Sequence, residues 1–239
     1  MILPVFQLTL RALLLQRRTL VLALVVCAPV LTALVYGLAH PADSNVHKFY
    51  SDLMQELFVP AVGALVALVF GVSAFGDERE DGTILYLVAT PQPRIELVIA
   101  KVAAAWAATM ALLGPSLVLT GLFGLGGDVT LSLILWPLIG VTLATLAYCS
   151  ASAWLSLLAR RPVVIGIIYI LLWEGSIATY ATSAQKLSIS AYGRVFVAHA
   201  LPQGTAPVTG MAAAIVVLAI VIAGTALGTA RSLATADLP

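Results

Sequence analysis

The sequence predicts an all-α membrane protein: six transmembrane helices, an N-terminal interfacial helix and one short cytoplasmic helix, in a single domain over residues 1–239. Three observations predict it. Hydrophobic residues make up 61% of the chain and charged residues only 10%, where soluble domains run near a quarter charged. Mean hydropathy is +1.06, more apolar surface than one aqueous core could hide. The apolar residues fall into six runs, each near or above the roughly 20 helical residues that cross a hydrocarbon layer of about 30 Å. A net charge of +1, with no basic tract interleaved with aromatics, offers nothing to nucleic acid. Cys27 and Cys149 fall inside apolar runs, where thiols pack as small hydrophobes, and no metal-ligand spacing is present.

Residues 2–18 are apolar but interrupted. Gln7, Arg11 and Arg18 share a face at helical spacing, which suits an interfacial helix with its basic side toward headgroups; a plain extension of the first span is the alternative. Arg11, Arg17 and Arg18 precede a run too long for the core of a cleavable signal peptide. The first span covers about 20–39 and carries Pro29, which membrane helices tolerate. Polar residues 40–56 follow, and Phe49, Leu53 and Leu57 recur four apart, predicting a short amphipathic helix that leads into the second span, 57–75. Residues 76–96 form a charge-dense connection. The third span, 97–123, contains Gly114-Pro115; a tight turn precedes the fourth, 131–158. Arg160-Arg161-Pro162 is a minimal basic turn before the fifth span, 163–183. A mixed loop over 184–207 leads to the sixth, 209–230.

Orientation follows from charge. With the N-terminus cytoplasmic, six spans put nine of the twelve Lys and Arg residues inside: Arg11, Arg17, Arg18, Arg79, Arg94, Lys101, Arg160, Arg161 and Arg231. Only Lys48, Lys186 and Arg194 fall outside, so the positive-inside rule selects cytoplasmic termini and a cytoplasmic 76–96 segment.

That segment is the first candidate site. Asp77, Glu78, Arg79, Glu80 and Asp81 are five charges in a row, ended by Gly82; Thr83 to Thr90 follow before Pro91 and Pro93 force an extended exit. The carboxylates suit the start of a helix, where the dipole favours them, with Asp81 or Thr83 as its cap. Ile84, Leu85, Leu87 and Val88 make an apolar patch too short to span, rimmed by charge, which reads as a docking surface. The plainer alternative is a solvated loop with a good cap. Glu174 is the second candidate, the one acid well inside a predicted span. A charge at that depth costs about 2.5–3.5 kcal/mol on insertion scales, so it should face the interior or be neutral. It is either a substrate-path or proton-linked carboxylate, or a structural acid bonded to a neighbouring helix. Tyr169, Trp173 and Tyr180 form an aromatic stripe on the same helix, suited to a substrate path or to helix packing. The segment 187–207 is a third feature, which re-enters the membrane edge or caps the outer mouth. His40, His47 and His199 meet no nucleophile, which leaves a catalytic reading little to stand on. No G-x-x-x-x-G-K-[ST] phosphate loop is present.

Phe75-Gly76-Asp77-Glu78-Arg79-Glu80-Asp81-Gly82-Thr83, then Leu85, Leu87, Ala89-Thr90-Pro91 and Lys101, resemble the ABC-2 type transporter permeases, the membrane subunits of ABC exporters. The run from Arg161-Pro162 to Leu172-Trp173-Glu174-Gly175, with Leu187-Ser188-Ile189 and Tyr192, is similar to a bacterial branch of that family. The resemblance implies a permease in the bacterial inner membrane that does no chemistry and holds no cofactor. ATP and Mg would be held by a separate ATP-binding cassette ATPase. Glu78, Arg79, Glu80 and Gly82 would form the charged turn and Thr83 to Thr90 a coupling helix seated on that ATPase. A second permease copy would complete the transporter. The large extracellular domain of some members is missing. The haem-exporter permease of cytochrome c maturation has a similar turn and length and ranks second; a proton-coupled secondary transporter centred on Glu174 is the rival from another class.

Overall fold

In the computed structural model, residues 2–39, 45–80, 94–126, 129–177, 185–202 and 209–235 are described. Every regular element among them is helical. Helix α1 is Ile2–Leu14 and α2 is Arg17–Ala39. The next helix, α3, runs without a break through Val46–Asp52, Leu53–Gly63 and Ala64–Glu80. Then come α4 (Arg94–Gly124) and α5 (Leu131–Leu158). Helix α6 joins Pro162–Ile168 to Tyr169–Ile177, α7 is Ile189–Ala200 and α8 is Met211–Thr235. Five of these, α2, α3, α4, α5 and α8, are long and apolar enough to cross a membrane. Of the expected fifth span, 163–183, the part that is described is helical and forms α6; residues 178–184 lie outside the described residues.

Composition explains the layering. Helix α3 buries 78% of its most apolar stretch inside the molecule, against 22% for α2 and 11% for α8. Apolar side chains can face lipid as readily as protein, so α2 and α8 remain stable with Leu24, Leu38 and Ile220 on the outside. Helix α5 is the hub and touches α3, α4, α6, α7 and α8. Its approach to α3 is set by Gly71: a Cβ there would stand 2.7 Å from the Cys149 carbonyl oxygen and 2.8 Å from Ser152 Cβ. Small residues at such crossings let backbones come together where no hydrophobic force between helices exists.

Three expectations are corrected. The N-terminal helix stops at Leu14, and a corner at Leu15–Gln16, held by the Thr19 hydroxyl donating to the Leu13 carbonyl at 2.7 Å, starts α2. Arg18 therefore belongs to the first turn of α2 rather than to the headgroup face of α1. The amphipathic stretch before residue 57 is part of the second span itself. Its winding widens to π over Leu53–Gly63, where Pro60 has no N–H to give to the preceding turn. Finally, Asp77, Glu78, Arg79 and Glu80 complete the C-terminal turn of α3 instead of opening a new helix.

Candidate functional site

Acids at a helix C-terminus oppose the helix dipole and need outside cations. The fold supplies them at the shared end of α2, α3 and α4. Arg18 donates to Asp77 Oδ1 and to Ser73 Oγ, both at 2.8 Å, and Gln16 donates to Asp77 Oδ2 at 2.8 Å. Lys101, only 1% exposed, forms an ion pair with Glu78. Its Nζ also donates to the Ala74 carbonyl at 2.8 Å and sits 4.7 Å from the centre of the Phe75 ring. A buried ammonium is tolerated only when paired and hydrogen-bonded, and Lys101 has a carboxylate, a carbonyl and a ring face.

Arg79 turns away from these acids. Its Nη1 donates to the carbonyls of Ser156, Leu157 and Ala159 at 2.9, 3.2 and 3.1 Å, which closes the open end of α5. Across the undescribed residues 81–93, Arg94 does the same for α8 by donating to the Leu233 carbonyl at 3.0 Å. The two arginines that flank the segment thus each hold the C-terminal carbonyls of another long helix. Asp81, Gly82, Thr83, Ile84, Leu85, Leu87, Val88 and Thr90 lie outside the described residues, as does the side chain of Glu80.

The second candidate site lies where two π-wound stretches pack together, Leu53–Gly63 of α3 and Tyr169–Ile177 of α6. Such windings are uncommon and recur at functional positions. Glu174 is 1% exposed, and four donors converge on it. Ser188 Oγ approaches Oε2 at 2.6 Å, Ser190 Oγ bonds the same oxygen, the Ile189 N–H meets Oε1 at 3.1 Å and the Tyr169 hydroxyl meets it at 3.2 Å. Ser188 is also the N-cap of α7, accepting from the Ala191 N–H at 3.2 Å. Glu174 therefore places its carboxyl group at the N-terminus of α7, where the free N–H groups of the first turn find an acceptor.

Beside it is a cavity of about 100 Å³ whose lining includes Glu56 and Pro60 of α3, Ile170 and Glu174 of α6, and Arg194 of α7. Arg194 donates to Ser190 Oγ at 3.2 Å, which joins this side chain to the same hydrogen-bond set. Of the aromatic stripe, Tyr169 reaches Glu174, whereas Trp173 is half-buried and lines neither this cavity nor a larger apolar groove between α5 and α6. Tyr180 lies outside the described residues. Of the partners, Lys101 and Ser188 stand among the residues that carry the family resemblance, and a serine before an apolar run also signals an N-cap, but neither signal names a bonding partner. Which carboxylate each would meet depends on how the spans are arranged.

No curated protein matches the chain. The family model described as ABC-2 family transporter protein matches residues 28–191, from the middle of α2 to the first turn of α7, a range that holds Asp77 to Lys101 and Glu174 with Ser188 and Ser190, while Gln16, Arg18, Arg194 and Leu233 lie outside it. This multi-pass α-helical membrane protein is a member of the ABC-2 transporter family.

Proposed function

We propose that the chain is the permease subunit of an ATP-driven exporter, with residues 83–90 as the coupling helix on a separate ATP-binding cassette ATPase. Both termini are cytoplasmic in the cell membrane, and a second permease copy completes the pathway. The observation that supports coupling is the pair of arginines flanking the segment. A push on residues 81–93 would act on Arg79 and Arg94, and through them on the ends of α5 and α8. Asp77 and Glu78 would carry the same displacement to α2 and α4. ATP and Mg stay with the partner; this chain supplies the moving bundle.

Family membership supports the transport class, and the charged run at 77–81 supports a cytoplasmic docking face. A proton-coupled carrier centred on Glu174 is the weaker reading, because Glu174 already accepts from four protein donors that fix α7. The test is co-purification of the full chain with the ATPase expressed beside it. Leu85→Glu with Leu87→Glu should abolish the complex while the permease still inserts and keeps its melting temperature. Labelling of residues 83–90 from outside intact cells would overturn the orientation and the reading together.

A further inference from the structure

A groove of about 360 Å³ runs between α5 and α6, large enough for a ligand-sized occupant. Its walls are apolar, with Ala151, Leu155 and Leu158 on one side and Ile165 on the other. Leu68 of α3 forms the floor, in the space that a side chain at Gly166 would need. The groove is half open to the surroundings, and Leu158 and Ile165 at its edge are 60% and 46% exposed.

Arg160 and Arg161 sit between those two edge residues in the chain, where α5 ends and α6 begins. Both are exposed, and neither forms an ion pair or side-chain hydrogen bond with a described residue. Four other basic residues at this end of the bundle are committed: Arg18 to Asp77, Lys101 to Glu78, and Arg79 and Arg94 to carbonyls. Arg79 also covers the carbonyls that end α5, the partial negative charge that would otherwise repel an anion at the mouth. An apolar slot thus lies between two helices whose connecting turn carries two exposed, uncommitted arginines.

We propose that this groove binds an anionic glycerophospholipid, one acyl chain lying along α5 and α6 and the phosphate resting on Arg160 and Arg161. The groove alone cannot choose a lipid, because a tail leaving hydrocarbon for an apolar slot gains little. The choice comes from the arginines, whose planar forks suit phosphate and whose charge favours a net-negative headgroup. Nothing in this depends on coupling to an ATPase. It requires only that the turn lie at a bilayer surface, in either orientation.

The test is native mass spectrometry of the full chain in detergent, titrated with palmitoyl-oleoyl phosphatidylglycerol or with the matching phosphatidylcholine. The phosphatidylglycerol adduct should be favoured about thirtyfold, the order expected from two basic residues at a membrane surface, and the preference should shrink with salt. Arg160→Gln with Arg161→Gln should bring it to the phosphatidylcholine level, and Arg11→Gln should change nothing. Ala151→Phe, which fills the groove and leaves the charge intact, should reduce both adducts; it serves alone, with the salt titration, if the double arginine variant does not fold. Equal retention of the two lipids by the unaltered chain would overturn the proposal. So would adducts that survive Ala151→Phe while self-association weakens, because a second copy of the chain would then be the occupant. Failure of the ATPase to co-purify would sink the coupling reading and leave this result untouched.

Discussion

Glu174 is where a single side chain decides most. An acid inside an apolar helix is expensive wherever it lies, and the residue pattern could only ask whether it served transport or structure. Its neighbours in space answer for the ground state: two serine hydroxyls, one tyrosine hydroxyl and one backbone N–H. Hydrogen bonds to a charged group contribute about 1.5–3 kcal/mol each, and buried donors left behind cost a comparable amount. Glu174→Ala should therefore destabilise the protein by about 2–4 kcal/mol, and Glu174→Gln by less, because the amide oxygen can still accept. Thermal unfolding in detergent checks the order, and thiol labelling at Leu187→Cys should quicken in the alanine variant as the start of α7 loosens. Equal stability of all three forms would remove Glu174 from this role. Lys101 makes the complementary point. Its position early in the third span was plain in the sequence, but its partners Glu78 and Ala74 come from a helix end packed against it.

Helix by helix, hydropathy locates the apolar runs well because lipid solubility and helix formation impose the same length. Leu131–Leu158 has the ends that its composition suggests. The charged run is harder to place. Asp77 and Glu78 look like helix-start residues by dipole preference, yet they end α3, because Arg18 and Lys101 from other helices outweigh the local cost. Tertiary charge pairing overrode a local rule. Gly71 shows the same dependence in packing. Gly71→Ala places a methyl against the Cys149 carbonyl and Ser152, and should lower stability by about 1–3 kcal/mol, the usual cost of overpacking. A Cβ at Gly114, within α4, would meet nothing within 4 Å, so Gly114→Ala should be neutral or stabilising by up to about 1 kcal/mol. Parallel melts of the two variants compare them; equal losses would show that Gly71 does not set the α3–α5 approach.

For the whole molecule, the arrangement joins one end of the bundle into a connected unit. Gln16 and Arg18 of the α1–α2 corner, Asp77 to Arg79, Arg94 and Lys101 link α2, α3, α4, α5 and α8, through side-chain pairs and through arginines bonded to main-chain carbonyls. If that unit carries force from an ATPase, Arg79→Gln with Arg94→Gln should leave the complex intact and the ATPase active, but lower transport per ATP several-fold. Reconstituted vesicles that report hydrolysis and transport together check this. Unchanged coupling would mean that force travels by another route, such as the Glu78–Lys101 pair.

The amino-acid sequence by itself determined the solvent of this protein, the apolar runs, the location of its charge and its family resemblance. Each follows from composition or from residues adjacent in the chain, where no knowledge of packing is needed. Only the tertiary structure decided what the rare polar groups do. Within an apolar bundle a charge takes its meaning from the few groups that reach it, and these come from helices distant in sequence. Arg79 closes α5, Lys101 neutralises Glu78, and Glu174 holds the start of α7.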